Sequence, residues 1–274
     1  MKLFEFEELS KTKIKTHNFH FIIYTIKDHI LTLTLNRPDK KNALHPQMIN
    51  EIGLIMQYAK YSKNIRVIIL QANGDVFCAG ADLKAINGDI EPHNSTIPVP
   101  KEKVLLGELF NKCYKPIVSK VTGSVYAGGY LLIASSSYVV ALDHLKFALP
   151  EVKRGLFPMQ VMASLLRVMP ARKVLDWCIR GYTVNGDQAK EWGLISKLAK
   201  PSNIDQIVTE WTEEIISNSP KAINLGMEAY DNILNTSNDH EYLYQMLQKA
   251  IQSEDAKEGL NAFKEKRTPN WTND

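Results

Sequence analysis

Short runs of apolar residues, separated by polar breaks, dominate the first half of the chain. Residues 21–26 and 30–35 are rich in β-branched side chains and flank three polar residues, which predicts a β-hairpin. Pro46 suits the first turn of a helix, and apolar residues recur behind it at helical spacing from Met48 to Ala59. The first unit that the pattern predicts is therefore a strand pair followed by a helix.

The same alternation of strands and helices continues along the chain. Further apolar runs predict buried strands over residues 66–70, 117–121 and 138–142. Helical patterns fall between these strands, over residues 104–113 and 128–136. Strands with continuous apolar residues are typical of a mainly parallel sheet that is covered on both faces. A polar stretch with three prolines, residues 88–100, predicts a mobile loop.

The last third of the chain has a different pattern. Beyond about residue 158 we find no strand signal, and Asn185 with Gly186 predicts the start of a short helix that Gly193 ends. Successive helices are predicted over residues 203–217, 219–234, 239–252 and 254–266. We therefore expect a core in residues 1–200 and a C-terminal helical region in residues 201–274.

Composition excludes several classes of protein. The 274 residues are 45% hydrophobic and 23% charged, with 33 basic and 30 acidic side chains and a net charge of +3. These values exclude a disordered chain or a coiled coil, and they give no reason to expect nucleic acid or a membrane as a partner. Three unpaired cysteines, an acidic N-terminus and no long apolar run predict a cytoplasmic protein.

Two loops of small residues offer backbone groups to a ligand. Ala79-Gly80-Ala81 follows one buried strand, and Gly128-Gly129 follows another and opens a helix. Unpaired N–H groups at such turns stabilise a developing negative charge, and two turns that face each other form an oxyanion hole. Neither loop has a phosphate-binding pattern. The histidines lack the spacing of metal ligands, so we expect no metal.

Six ordered motifs give the chain a resemblance to a known family. They begin at Asn36-Arg37-Pro38, Lys41, Phe77, Lys115-Pro116, Phe147 and Ser253. In this order the motifs resemble the enoyl-CoA hydratase/isomerase (crotonase) superfamily, over about residues 21–267. The resemblance implies an α/β fold, the ClpP-like crotonase spiral of ββα units. It also implies a C-terminal helical region that mediates homotrimers, often paired into hexamers.

The resemblance further implies a site for an acyl-CoA thioester. The backbone N–H groups of Ala81 and Gly128 would hold the thioester oxygen, and Glu151 would be the catalytic carboxylate. Coenzyme A would be part of the substrate, so no separate cofactor is expected, and a carrier-protein thioester stays an alternative. The residues expected to contact the substrate are Lys41, Ala43, Ala79, Asp82, Leu83, Leu131, Met159, Phe263 and Lys266. Of these, Phe263 and Lys266 match positions that contact the nucleotide end.

The carboxylates decide between reactions. Hydratases of this family use two glutamates, and this chain has Leu131 at the first position and Glu151 at the second. One carboxylate suffices to move a proton between two carbons, as isomerases with this pattern do, so a double-bond isomerase is favoured. Hydration and decarboxylation remain alternatives, since some decarboxylases of the superfamily also lack a glutamate. A non-catalytic acyl-CoA-binding homologue is an alternative of another class.

Overall fold

A computed structural model describes residues 13–234, 244–245, 247–248, 251–252 and 254–269. Within these residues, strands form two sheets. The first sheet contains β1 (Ile22–Lys27), β2 (Ile30–Leu35), β3 (Val67–Ala72), β5 (Ile117–Val121), β7 (Tyr138–Leu142) and β10 (Lys197–Ala199), in that order. The second contains β4 (Val76–Cys78), β6 (Ser124–Tyr126), β8 (Lys146–Ala148) and β9 (Thr183–Asn185).

The chain builds the two sheets together. β3, β5 and β7 run parallel in the first sheet, and each is followed by the next parallel strand of the second sheet, namely β4, β6 and β8. Each turn of the chain therefore adds one strand to each sheet. The pairs β1–β2 and β8–β9 are antiparallel. The predicted hairpin is confirmed, and Asp28 and His29 make its turn with positive φ angles of 48° and 66°.

Helices cover the sheets. The first five are α1 (Pro46–Tyr61), α2 (Leu83–Ile86), α3 (Leu106–Asn111), α4 (Tyr130–Ile133) and α5 (Met159–Leu165). The others are α6 (Ala171–Arg180), α7 (Gly186–Glu191), α8 (Ile204–Ser217), α9 (Pro220–Leu234) and α10 (Glu254–Glu265). Helix α1 begins after His45, whose ring nitrogen accepts a hydrogen bond from the Gln47 N–H. Its buried face includes Met48, Ile52 and Ile55, which join the core as the sequence predicts.

The expectation that strands end at about residue 158 is wrong. β9 adds to the edge of the second sheet and β10 pairs in parallel with β7. Each strand has three residues. This length is too short for the alternation of apolar and polar residues to be recognised in the sequence. The helices predicted near α7 to α10 are otherwise present, although the one over residues 239–252 lies mostly outside the described residues. Helix α6 was not predicted.

The helices after residue 200 pack on the core through buried polar contacts. The Arg167 guanidinium and the Asp231 carboxylate of α9 form an ion pair of 2.8 Å, and both side chains are less than a tenth exposed. The Asn224 side chain donates a hydrogen bond to the Tyr114 carbonyl at 2.8 Å. In the described part of the chain, no helix is both long and apolar enough to cross a membrane. The division of the chain at residue 200 stays a prediction.

Candidate active site

A cavity of about 560 Å³ lies where β4 and β6 end. Its walls come from the start of α1, residues 99–106, the turn into α4, residues 151–161, and part of residues 244–251. Most of the lining side chains are apolar. Eight of the predicted site residues line this cavity: Ala79, Ala81, Asp82, Leu83, Gly128, Leu131, Glu151 and Met159. The structure therefore brings together residues that lie 80 positions apart in sequence (159 − 79).

The two glycine loops meet at this cavity. Gly80 has a φ of 92°, and a Cβ atom there would lie 2.9 Å from the backbone nitrogen of Gly128. A Cβ atom at Gly128 would in turn lie 3.4 Å from the backbone nitrogen of Ala81. The N–H groups of Ala81 and Gly128 are thus close neighbours, because glycine at position 80 allows the loops to approach. An oxyanion hole requires two donors that lie close together in this way, and the predicted role of these N–H groups stays a prediction.

Backbone hydrogen bonds hold the first loop against residues 41–44. The Ala79 N–H donates to the Lys41 carbonyl at 3.0 Å, and the Leu44 N–H donates to the Gly80 carbonyl at 2.8 Å. Lys41 and Ala43 therefore lie beside the Ala79-Gly80-Ala81 loop, but neither lines the cavity. The Lys41 side chain is exposed. Their predicted contact with coenzyme A stays a prediction.

An ion pair that sequence analysis missed fixes the end of the same loop. Asp82 accepts hydrogen bonds from the N–H groups of Lys84 and Ala85 and so caps α2. Its other oxygen lies 2.7 Å from the Arg37 guanidinium, which also binds Glu91. Burial alone would raise the pKa of Asp82, but Arg37 and the cap hydrogen bonds hold it below its usual value. Both oxygens of the Asp82 carboxylate are therefore occupied by contacts that stabilise the fold, although the residue lines the cavity.

Glu151 begins a short 3₁₀ helix, Glu151–Arg154, after Pro150. Its Oε2 atom is buried and has no hydrogen-bond partner among the described residues. Burial raises the pKa of the Glu151 carboxyl to about 7, against smaller opposing effects of its own N–H and of the Arg154 guanidinium. A carboxyl with this pKa can both accept and return a proton near neutral pH.

Leu131 on α4 is the residue that the resemblance places at the first glutamate of the hydratases, and this correspondence stays a prediction. It lines the cavity and is half-buried. Among the described residues, the other carboxylates in the lining are Asp82, which is paired with Arg37, and Glu102, which is exposed. Glu151 is therefore the buried carboxylate of the described lining that no ion pair engages.

Gln160 is a lining residue that sequence analysis did not single out. Its amide nitrogen Nε2 is buried and, within the part of the chain that the structure describes, has no hydrogen-bond partner. It therefore offers an unused donor in a largely apolar wall. The only sequence signal is a polar residue between Met159 and Val161 at the start of α5, which is common on any helix.

Two predicted contacts lie away from the lining. The Phe263 ring on α10 is 54% exposed and stacks against the Arg154 guanidinium, whose Cζ lies 4.5 Å from the ring centroid. Lys266 is exposed and has a φ of 56°. Their contact with the nucleotide end of a substrate stays a prediction. Within the described residues, no group of three His, Cys, Asp or Glu side chains could hold a metal ion.

Comparison with known families agrees with this geometry. The family model described as enoyl-CoA hydratase/isomerase matches residues 25–274. The chain belongs to the enoyl-CoA hydratase/isomerase family. It is therefore an acyl-CoA enzyme of the crotonase superfamily, and the predicted family is confirmed.

Several members of the enoyl-CoA hydratase/isomerase family are similar over most of their length. The chain is 30% identical to mevalonyl-coenzyme A hydratase of Aspergillus fumigatus, over 89% of this chain and 91% of that protein. It is 31% identical to an enoyl-CoA hydratase of Mycobacterium tuberculosis, over 90% of this chain and 94% of that protein. The crystal structure of carnitinyl-CoA hydratase from Mycobacterium avium superposes with a TM-score of 0.80 at 26% identity. The match covers 93% of this chain and 99% of that chain. The predicted α/β spiral fold is confirmed, while trimerisation through the C-terminal helices stays a prediction.

Proposed function

We propose that this enzyme shifts the double bond of an enoyl-CoA, with Glu151 as its proton-transfer group. The ionised Glu151 carboxylate removes a proton from C2 of a 3-enoyl thioester, and the electron pair moves onto the thioester oxygen. The N–H groups of Ala81 and Gly128 hold this oxyanion. Glu151 then returns the proton to C4, which leaves the double bond between C2 and C3. The observation that supports the proposal is the buried Glu151 carboxyl, whose Oε2 atom has no hydrogen-bond partner among the described residues and which lines the same cavity as Ala81 and Gly128.

The cavity wall favours an apolar acyl chain. Leu131, Met159 and Val161 line the cavity together with Glu151, and the 99–106 segment adds further apolar groups. Such a lining stabilises a hydrocarbon chain by removing it from water. The proposal is for a coenzyme A thioester, and a carrier-protein thioester stays an alternative. Cytoplasmic localisation also stays a prediction.

Hydration of a 2-enoyl-CoA is the second candidate. Gln160 supplies a buried donor that could hold a water molecule or a hydroxyl group in the cavity. The hydratase names of the relatives point the same way. Against hydration, Leu131 offers no second acid or base. Decarboxylation is a further alternative.

One assay separates these functions. Wild type, Glu151→Gln and Gln160→Leu are each tested with 3-enoyl-, 2-enoyl- and carboxyacyl-CoA. We expect isomerisation of the 3-enoyl substrate by wild type, and a loss of about 10²–10⁴-fold in Glu151→Gln with little change in CoA affinity. Gln160→Leu should keep isomerisation. Glu102→Gln is the matched control, because it removes an exposed carboxylate of the same cavity.

Other outcomes identify the alternatives. Turnover of the 2-enoyl substrate alone, lost in Gln160→Leu, would establish hydration in place of isomerisation. Isomerase activity that survives in Glu151→Gln would refute the role of Glu151. Binding of every thioester without turnover in any variant would show a non-catalytic acyl-CoA-binding protein.

A further inference from the structure

Arg154 is a half-buried cation close to the candidate catalytic carboxylate. It lies three residues after Glu151 on the same 3₁₀ helix and lines the cavity. In the part of the chain that the structure describes, no carboxylate forms a salt bridge with it within 4 Å. Burial lowers the pKa of Arg154, and the charge of Glu151 opposes this effect. The two groups therefore act on each other through space rather than through a hydrogen bond.

The contact that positions the Arg154 guanidinium comes from the C-terminal helix. Its Cζ lies 4.5 Å from the centroid of the Phe263 ring, within the range of a cation–π interaction. The Arg154 backbone is held by the same helix. A Cβ atom at Gly259 would lie 2.3 Å from the Arg154 carbonyl oxygen, so α10 approaches this segment as closely as only glycine allows. Both ends of Arg154 thus contact α10.

We infer that Phe263 of α10 holds the Arg154 guanidinium beside Glu151, so that docking of the C-terminal helix tunes the catalytic carboxylate. Arg154 and Phe263 are then positioning residues, which act through Glu151. The inference rests on the proposed role of Glu151 in proton transfer. It gives the exposed Phe263 ring a task within its own chain, apart from any contact with the nucleotide.

The other groups around Glu151 carry no charge near neutral pH. From α4, the Tyr130 hydroxyl donates to the Val125 carbonyl, and its pKa lies well above the usual value because it is buried. From α6, burial raises the pKa of the Cys178 thiol to about 12. Arg154 is therefore the charged group that acts on Glu151 among the described residues.

Among the described side chains, the remaining charges on the elements packed against this 3₁₀ helix form ion pairs or cation–π contacts or are exposed. On α10, Glu258 and Glu265 bind Arg267, and Lys257 binds Glu254. On α6, Asp176 binds Arg180 and Tyr182, and Lys173 lies over the Trp192 ring. The exposed charges are Lys153 of the 3₁₀ helix, Arg172 of α6, and Lys264 and Lys266 of the C-terminal segment.

The direction of the effect follows from charge. A positive group near a carboxylate favours its ionised form, so losing or releasing Arg154 must raise the pKa of Glu151. The catalytic base must be ionised to accept the substrate proton. The rising limb of activity against pH should therefore move to higher pH when α10 no longer holds Arg154.

The experiment uses the full chain and two readouts. The first is kcat/KM against pH for wild type, Phe263→Leu and Arg154→Gln, in which we expect the midpoint to rise by about one pH unit in both variants. The second is unfolding stability against pH for each protein with and without Glu151→Gln. The difference within each pair reports the pKa of Glu151 without any need for turnover.

Three control variants separate positioning from a general structural effect. Phe263→Tyr keeps the ring and Arg154→Lys keeps a charge, so both should bring the midpoint back toward wild type. Lys264→Gln removes an exposed positive charge from the same helix and should leave the midpoint in place. Unchanged midpoints for Phe263→Leu and Arg154→Gln in the stability readout would overturn the inference. If that readout shifts while activity survives Glu151→Gln, Phe263 does position Arg154 beside Glu151, but the proposed catalytic role of Glu151 fails.

Discussion

The environment of Glu151 makes its negative charge costly. The carboxyl is buried, its Oε2 atom has no hydrogen-bond partner, and its pKa rises from 4.5 to about 7. A glutamate with a raised pKa in the folded protein stabilises that protein below its unfolded pKa of 4.5. This contribution is lost as the pH rises through 7, because the folded protein must then hold a buried charge.

Glu151→Gln should therefore increase stability at alkaline pH. Relative to wild type, we expect little change at pH 4 and a gain of up to about 3 kcal/mol above pH 8, from 1.36 kcal/mol per pKa unit. Urea denaturation of both proteins between pH 4 and 9 measures this difference. Glu102→Gln, which removes an exposed carboxylate, should follow wild type. A constant offset between wild type and Glu151→Gln at every pH would show that Glu151 titrates normally.

Leu131→Glu tests the position of the missing carboxylate. Because Leu131 lines the cavity and is half-buried, a carboxylate there can be solvated, and the protein should fold. A positioned second acid or base should raise 2-enoyl-CoA hydration by about 10²-fold or more. Adding Glu151→Gln should abolish this gain. The control is Leu132→Glu, which places the charge on the fully buried face of the same helix and should unfold the protein. A folded Leu131→Glu protein without hydration would place the water site elsewhere.

Sequence motifs reveal some residues of this site and hide others. Ala81, Gly128 and Glu151 follow short strands within local motifs, and the order of those motifs gave the family resemblance that implies their roles. The pairing of Arg37 with Asp82 could not be predicted, because a contact between distant segments leaves no periodic signal. Phe263 was expected to contact a substrate, but the contact that the structure shows is with Arg154. That contact depends on how α10 packs, which local pattern does not encode.

At the scale of elements, the ion pair between Arg37 and Asp82 holds the Ala79-Gly80-Ala81 loop in place. The pair joins the segment after β2 to the start of α2, directly beside Ala81. Both side chains are less than a tenth exposed. Removing one partner would leave the other as a buried, unpaired charge.

Arg37→Met should therefore destabilise the protein by about 3–5 kcal/mol, which urea denaturation measures. Asp82→Asn is the milder companion variant, because asparagine can still cap α2 while the charge is lost. It should cost less stability, but it should lower kcat, since the Ala81 N–H is no longer fixed in direction. Equal free energies of unfolding for Arg37→Met and wild type would show that the ion pair between Arg37 and Asp82 does not stabilise the protein.

Element boundaries illustrate the same limit of local pattern. The hairpin β1–β2 and helix α1 are long enough for their period to be visible, and both could be predicted. β9 and β10 have three residues each and exist because the neighbouring strands β8 and β7 offer free hydrogen-bonding edges. Tertiary pairing creates such strands, and sequence period does not report them.

At the scale of the whole molecule, the assembly of this chain stays a prediction, and one surface of α6 bears on it. Leu175 and Ile179, one helical turn apart, are 50% and 57% exposed, and Leu166 before this helix is 46% exposed. Neighbouring apolar side chains on one face are typical of a surface that another protein covers. Combined with the trimers that the family resemblance implies, this face is a candidate contact between protomers.

If this face mediates the predicted trimer or hexamer, Ile179→Glu, and separately Leu175→Glu, should shift the protein to a monomer. Each places a charge at a position that becomes buried only on association, so the folded monomer loses nothing while the interface must desolvate an unpaired carboxylate. Analytical ultracentrifugation at micromolar concentration measures the change, and circular dichroism checks the fold. Lys190→Glu on α7 is the matched control, because this exposed position adds the same carboxylate away from the apolar face. If both α6 variants keep the mass of the wild-type assembly, α6 lies outside the interface. A wild-type protein that is itself a monomer would refute the predicted trimer.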